Sequence, residues 1–338
     1  MPSLLNFTNP TFANSPQRID FGTVSRREGS FVYCNYPERV TSNDKADTNS
    51  RKYLNSSNVS GKCHVYSWHE NKTGNSAYHA LHISNRGSST ITVKVTNYGL
   101  TNNVYNDLQG WKNYFGTKYN NTYVLDQGTS INLFQQYVAN NAPCGYVGFI
   151  DIIGGSARLQ DVFYSSSPND PIYQATSNDP LDDLRRRGMD PNGHIFNLTT
   201  PTITVTNSQI SEMIVFGSDD NNSFGNDEKA SMSGKSLVGC FGQIMNIKML
   251  IKNGSTTSKK AKICIASRGG ASRFLVGLTT DPTFTNTHSV ITSGLVDAKT
   301  FVDIIETDSI PAGATREVSF FTVVPADSFG PTALSARF

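Results

Sequence analysis

The residues best suited to chemistry in this chain are its histidines, and four of the six fall between positions 64 and 82: His64, His69, His79 and His82. Imidazole is the commonest transition-metal ligand, so the group points toward copper or zinc. Its spacing works against a single site. Successive strand residues face opposite sides of a sheet, so His64 and His69 separate, as do His79 and His82, if their strands are regular. A turn at Lys72-Thr73-Gly74-Asn75 still allows one ring from each strand to meet as a cross-strand pair. The simpler expectation is two outward polar rings and two hydrogen-bonded inward ones. The sharper one is a metal-dependent enzyme built on the His64–His82 region.

Other constellations say less. Asp219-Asp220-Asn221-Asn222-Ser223-Phe224-Gly225-Asn226-Asp227-Glu228 is rich in hard oxygen ligands, but Phe224 stands where an EF-hand needs glycine. Arg185-Arg186-Arg187 is flanked by Asp182, Asp183 and Asp190, so its charge nearly cancels and ion pairing within the chain is expected. The cysteines Cys34, Cys63, Cys144, Cys240 and Cys264 form no C-x-x-C pair, which argues against zinc ribbons and thioredoxin-type sites. Most lie in apolar runs and read as buried thiols. An odd count leaves one sulfur over for an intermolecular bond, and Cys144, in a Pro143-Cys144-Gly145 turn, is the candidate. No G-x-S-x-G, H-E-x-x-H, Walker or dinucleotide fingerprint occurs. No catalytic residue and no cofactor are therefore assigned.

The elements that would position these residues read as short strands. Cys63–Trp68, Ala80–Ile83, Thr90–Val95, Ser130–Phe134, Ile244–Ile251 and Arg316–Phe321 alternate in the β manner and are punctuated by Asn/Gly turns. Helical periodicity is weak, and one short helix is expected over Asp179–Arg187, near the linker. A faint internal repeat is visible. His82-Ile83-Ser84-Asn85-Arg86-Gly87 resembles Leu250-Ile251-Lys252-Asn253-Gly254-Ser255, and Val124–Phe134 resembles Ile310–Phe320 with Gly128 aligned on Gly313. The expected fold is all-β, with two tandem antiparallel β-sandwich domains, Ig-like or jelly-roll-like, from an internal duplication. The expected organisation is an arm over residues 1–17, a first domain over 18–190 and a second over 191–338.

Composition narrows the function classes. The chain has 338 residues, 29 basic and 27 acidic, and 17% charged residues against about 25% in an average domain. A net charge of +2 does not promise a nucleic-acid surface. No window is apolar enough to span a membrane as a helix, and the first residues lack the pattern of a Sec signal, so synthesis in the cytosol is expected. Low net charge and a hydroxyl- and amide-rich surface favour association. The expectation is a non-enzymatic structural subunit that assembles with itself into a layer, filament or coat on a particle, cell or spore surface. Sheet edges and the apolar residues Leu4, Leu5 and Phe7 of the arm would make the contacts. The alternative is an adhesin-like module that stacks glycans on Trp68, Trp111, Tyr114 and Tyr119.

Overall fold

Alternating segments become strands throughout the chain. A computed structural model describes residues 1–20, 22–27, 29–45, 53–165, 187–191, 193, 195–217, 231–232, 235–236, 240–279 and 286–338. The protein is all-β, with 63% strand and one short helix. Ile91–Asn102 and Ile244–Asn253 bury nearly every second residue, as half-buried strands must.

The largest sheet has nine strands and is organised on two long ones, Asn55–Lys72 and Pro143–Tyr164. They pair antiparallel along almost their whole length. Their register breaks between Ile152 and Ser156, opposite Gly61 and Ser60. Gly154 (φ 90°) and Gly61 (φ 67°) adopt left-handed backbone there, a conformation side chains with a Cβ resist. The ribbon bends at this level. On its outer side the first half of Pro143–Tyr164 carries Ile91–Asn102, and the second half carries Ala77–Ser84. Ile150, Ile152, Ala157 and Leu159, from both sides of the bend, line one core. Tyr146 and Asp161 come within hydrogen-bond distance (3.0 Å) although fifteen residues of one strand separate them. Extended, that segment would span roughly 50 Å.

Two further sheets of six strands share a second core, to which Phe196, Met245, Ile247 and Phe320 contribute from one sheet and Ile263, Ile304 and Leu334 from the other. The first residues of the chain belong to these sheets. Ser3–Phe12 pairs with Thr300–Ile310, Gln17–Ile19 with Glu212–Phe216, and Thr23–Arg27 with Ile195–Val205. Arg337 fastens the first of these: it donates to Asp303, to Thr11 Oγ1 (2.6 Å) and to the Asn9 carbonyl (2.9 Å). The segment expected as an arm is thus hydrogen-bonded within its own chain, with Leu4 and Phe7 against the core.

The helix Leu108–Gly116 was not anticipated. It buries Leu108, Trp111, Tyr114 and Phe115, an i, i+3, i+6, i+7 stripe. Its aromatics fill a third core between the nine-stranded sheet and the Leu275, Phe321 and Val323 side chains. Close approach to Ile91–Asn102 requires glycine, since a Cβ at Gly99 would lie 1.8 Å from the Gly110 carbonyl oxygen. The helix expected over Asp179–Arg187 lies outside the described residues except for Arg187, which opens the strand Arg187–Asp190. The acidic run Asp219–Glu228 also lies outside them.

The repeated Asn and Gly positions carry the same hydrogen bonds. Asn85 Nδ2 donates to Ser89 O (2.8 Å) and Leu125 O (2.9 Å), while its Oδ1 accepts from Gly87 N. Asn253 Nδ2 donates to Thr257 O and Ile310 O (both 2.8 Å), while its Oδ1 accepts from Ser255 N. The Gly128 and Gly313 amides donate to the Asn85 and Asn253 carbonyls. Both glycines have positive φ. Flanking registers coincide, with Ser84↔Ser130 and Ile91↔Leu125 against Lys252↔Thr315 and Lys259↔Ile310. Asn71 repeats the device, donating to Asn75 O and Val138 O, with Asn141 (φ 64°) in the place of glycine.

Each such asparagine is fully buried, so removing its amide strands several backbone groups. Asn253→Ala is expected to destabilise the protein by about 2–4 kcal/mol in urea unfolding. The exposed control Asn102→Ala should stay within about 0.5 kcal/mol of wild type.

Candidate functional site

The strand bend brings one group of chemically competent side chains together. Cys34 ends the strand Ser30–Cys34, which runs parallel to Asn55–Lys72 with Cys34 beside Ser67. His69 lies further along that long strand and faces Cys144 across the ladder. His79 comes from Ala77–Ser84 and sits beside Phe163. Asp161 is delivered from the far half of Pro143–Tyr164 and Tyr146 from its near half. All are buried.

Asp161 is the hub. Its Oδ1 accepts from His79 Nε2 at 2.9 Å, and its Oδ2 accepts from the Tyr146 hydroxyl. His69 Nε2 stands 3.6 Å from Oδ2. On the other side of that ring, Nδ1 is 2.7 Å from the Pro37 carbonyl. A carbonyl brings no proton, so Nδ1 bears a hydrogen and Nε2 is the ring atom turned toward Asp161. The Cys34 sulfur, a ligating nitrogen of His69 and an Asp161 oxygen all lie within 4.8 Å of one another. Ser67 Oγ is 3.3 Å from His79 Nε2.

Burial and the histidine rings act oppositely on Asp161. Burial pushes its carboxyl up, but His79 and His69 outweigh this and hold it well below the usual carboxylate range. Burial, then the Asp161 charge, raises the Cys34 thiol and the Tyr146 phenol. Burial lowers His79 against the pull of Asp161. The group therefore favours the ionised form of Asp161, with the His79 ring and the Tyr146 hydroxyl donating to it and the Cys34 sulfur close by. Sealed in the core, it offers no face to a substrate.

Of the four histidines singled out by sequence, the fold joins His69 and His79, with ring centroids 5.4 Å apart, and leaves the others elsewhere. His64 packs among Phe31, Trp111 and Tyr114 in the helix-lined core. His82 Nδ1 meets Asn132 Oδ1 at 2.7 Å. Asp161, Cys34 and Tyr146 escaped sequence reading because they are remote in the chain and carry no spacing signature. Arg187, from the basic run, donates to the Leu54 carbonyl and lies over the Tyr36 ring.

All five cysteines are buried. That corrects the assembly role expected of Cys144: it lies in the Pro143–Tyr164 strand, and its sulfur contacts the His69 carbonyl. Trp68, Trp111 and Tyr114 are buried too, so they cannot stack on a glycan. Tyr119 is half-buried against Tyr98. Leu5 is half-buried on the outermost strand.

A second polar group sits at the start of the helix. The Tyr66 hydroxyl donates to Asp107, Ala326 N donates to Tyr66 Oη (2.6 Å) and Asp107, and Asp327 pairs with Arg273. Burial, then the Asp327 charge, pushes the Asp107 carboxyl up to about 7. This group joins the helix to the Ala326–Asp327 loop.

No family model matches the chain, and no curated protein does. Three solved structures are weakly similar. The PBSX exported protein XepA is 7% identical over 84% of this chain and 85% of its own, with a TM-score of 0.17. The CUB1-EGF-CUB2 domains of rat MASP-1 are 8% identical over 95% and 100%, at 0.15. The T=1 Penaeus vannamei nodavirus is 11% identical over 95% and 97%, at 0.16. Scores this low carry no argument about fold or role.

Burial lowers the His64 pKa to about 3. The unfolded ring binds its proton near 6.5, so between these values the unfolded state holds more protons and stability falls as pH drops. His64→Phe should flatten the stability–pH curve over that interval by up to about 1.4 kcal/mol per pH unit, measured by urea unfolding at stepped pH. An unchanged slope would show that the ring already carries its proton in the fold.

Proposed function

We propose that this protein is a non-catalytic structural subunit, built on two related β-sandwich units, that associates with further copies through a sheet edge. The sealed cluster supports the non-catalytic reading, because its polar groups have no access to a substrate. The matched Asn85/Gly128 and Asn253/Gly313 devices, with their equal registers, support a duplicated unit.

One observation carries the association. The strand Asn121–Leu125 pairs with Ile91–Asn102 on one side, and no strand among the described residues pairs with its other side. Its sequence, Asn-Thr-Tyr-Val-Leu, has no charge and no proline, and Val124 is 66% exposed. Such an edge is a template for another strand. The counterpart strand Thr300–Ile310 is treated differently: Ser3–Phe12 runs along its outer side, with register shifts and Pro10 on the outermost strand. Bulges and proline are common ways of blunting an edge.

A second copy fits the open edge. Two-fold antiparallel pairing centred on Tyr123 sets Thr122 of each copy opposite Val124 of the other. It also draws the exposed Lys118 of one copy toward the exposed Asp126 of the other.

Size-exclusion chromatography with light scattering should find dimers or larger species at tens of micromolar. Val124→Lys, which places a charge on an exposed position, should give monomers with an unchanged thermal melt. Wild-type monomers at high concentration, or unaltered association of the variant, would refute the edge.

A further inference from the structure

The Asp161 cluster has a gap that its hydrogen bonds do not close. His69 Nε2 is buried in the core and has no hydrogen-bond partner. The ring cannot turn over without losing the bond from Nδ1 to the Pro37 carbonyl. Nε2 stands 3.6 Å from Asp161 Oδ2, beyond ordinary hydrogen-bond reach. The Cys34 sulfur lies within 4.8 Å of a ligating nitrogen of His69 and of an Asp161 oxygen. Nitrogen and oxygen ligands of a tetrahedral zinc ion stand roughly 3.4 Å apart when the metal bonds are about 2.0–2.1 Å, close to the 3.6 Å between His69 Nε2 and Asp161 Oδ2.

We infer that Cys34, His69 and Asp161 form a binding site for a structural zinc ion, with Cys34 Sγ, His69 Nε2 and Asp161 Oδ2 as ligands. The donor set selects the metal: one thiolate, one imidazole and one carboxylate suit zinc and disfavour magnesium and calcium. The surroundings supply the outer contacts such sites use. The Pro37 carbonyl fixes the His69 tautomer, and His79 Nε2 steadies the other Asp161 oxygen. The Tyr146 hydroxyl donates to Asp161 Oδ2, the oxygen assigned to the ion. As metal binds during folding, the Cys34 thiol loses its proton to solvent and the sulfur bonds to the metal; without metal the thiol is directed to the Tyr36 carbonyl at 3.7 Å. The ligands come from three strands on both sides of the bend, so the ion would tie the ends of the folded ribbon to the Ser30–Cys34 strand. A sealed position implies that metal enters as the chain folds.

The test uses the full chain, expressed in zinc-supplemented medium and passed through a desalting column. Elemental analysis should find about one zinc per chain. Protein refolded with cobalt(II) should show a thiolate-to-cobalt charge-transfer band in the near ultraviolet. Cys34→Ser and His69→Gln should each abolish that band or weaken cobalt binding more than tenfold, whereas His82→Gln should leave it intact. Circular dichroism will show which variants fold, and the wild-type measurement stands without them. A wild-type chain that retains no zinc and gives no cobalt band overturns the site. So does a band that survives Cys34→Ser.

Discussion

The bend in the paired strands Asn55–Lys72 and Pro143–Tyr164 is the constraint from which the first half of the molecule follows. Backbone hydrogen bonds make a long antiparallel ribbon stiff, and a straight one would leave its apolar face in water. Gly61 and the Gly154-Gly155 pair let both strands turn at the same level, so that a single ribbon contributes to both walls of one core. Polar groups from the two halves of the ribbon are then brought face to face. Asp161 meets Tyr146 and His69 for this reason, while His79 reaches it as a neighbour in the adjoining ladder. Much of the buried cluster follows from the curvature, and a buried carboxylate is tolerable there because the His79 ring and the Tyr146 hydroxyl donate to it.

Asparagine does at the corners what glycine does at the bend. At Asn71, Asn85 and Asn253 a strand ends, and the chain must cross to another partner without stranding its backbone groups. One side-chain amide closes the local turn and reaches a neighbouring one, and its oxygen takes the amide two residues on. Recurrence at three corners shows that the device belongs to the corner geometry as well as to any repeat. It also accounts for part of the amide-rich composition without recourse to the surface.

Much of the architecture could be read beforehand because its signals are local. Alternation marked Cys63–Trp68, Ala80–Ile83 and Ile244–Ile251 as strands, and Gly128 and Gly313 marked equivalent turns. The helix Leu108–Gly116 is hard to read from sequence because Gly110 and Gly116 dilute its pattern, although Asp107 stands at its N-cap. The histidines were half legible. Strand parity parts His64 from His69 and His79 from His82 and lets one ring of each pair meet, but all four rings are buried where two outward ones are expected, because both faces of the sheet carry a core. Parity could not supply Cys34 or Asp161, whose proximity depends on how far a ribbon curls. Likewise Leu4 and Phe7 were recognisable as apolar contacts, but nothing in their neighbourhood revealed that the partner was the same chain's Thr300–Ile310 strand.

The placement of the opening residues has a bearing on biosynthesis. Ser3–Phe12 rests against Thr300–Ile310 and is gripped by Arg337. Synthesis reaches Ser3–Phe12 long before Thr300–Ile310, so the earlier strand has no partner until the later one has emerged. Pairing over so long a stretch of chain is slow to form and leaves apolar side chains uncovered meanwhile. Closure of this seam is therefore a late event in folding, and loss of either strand would unfasten it.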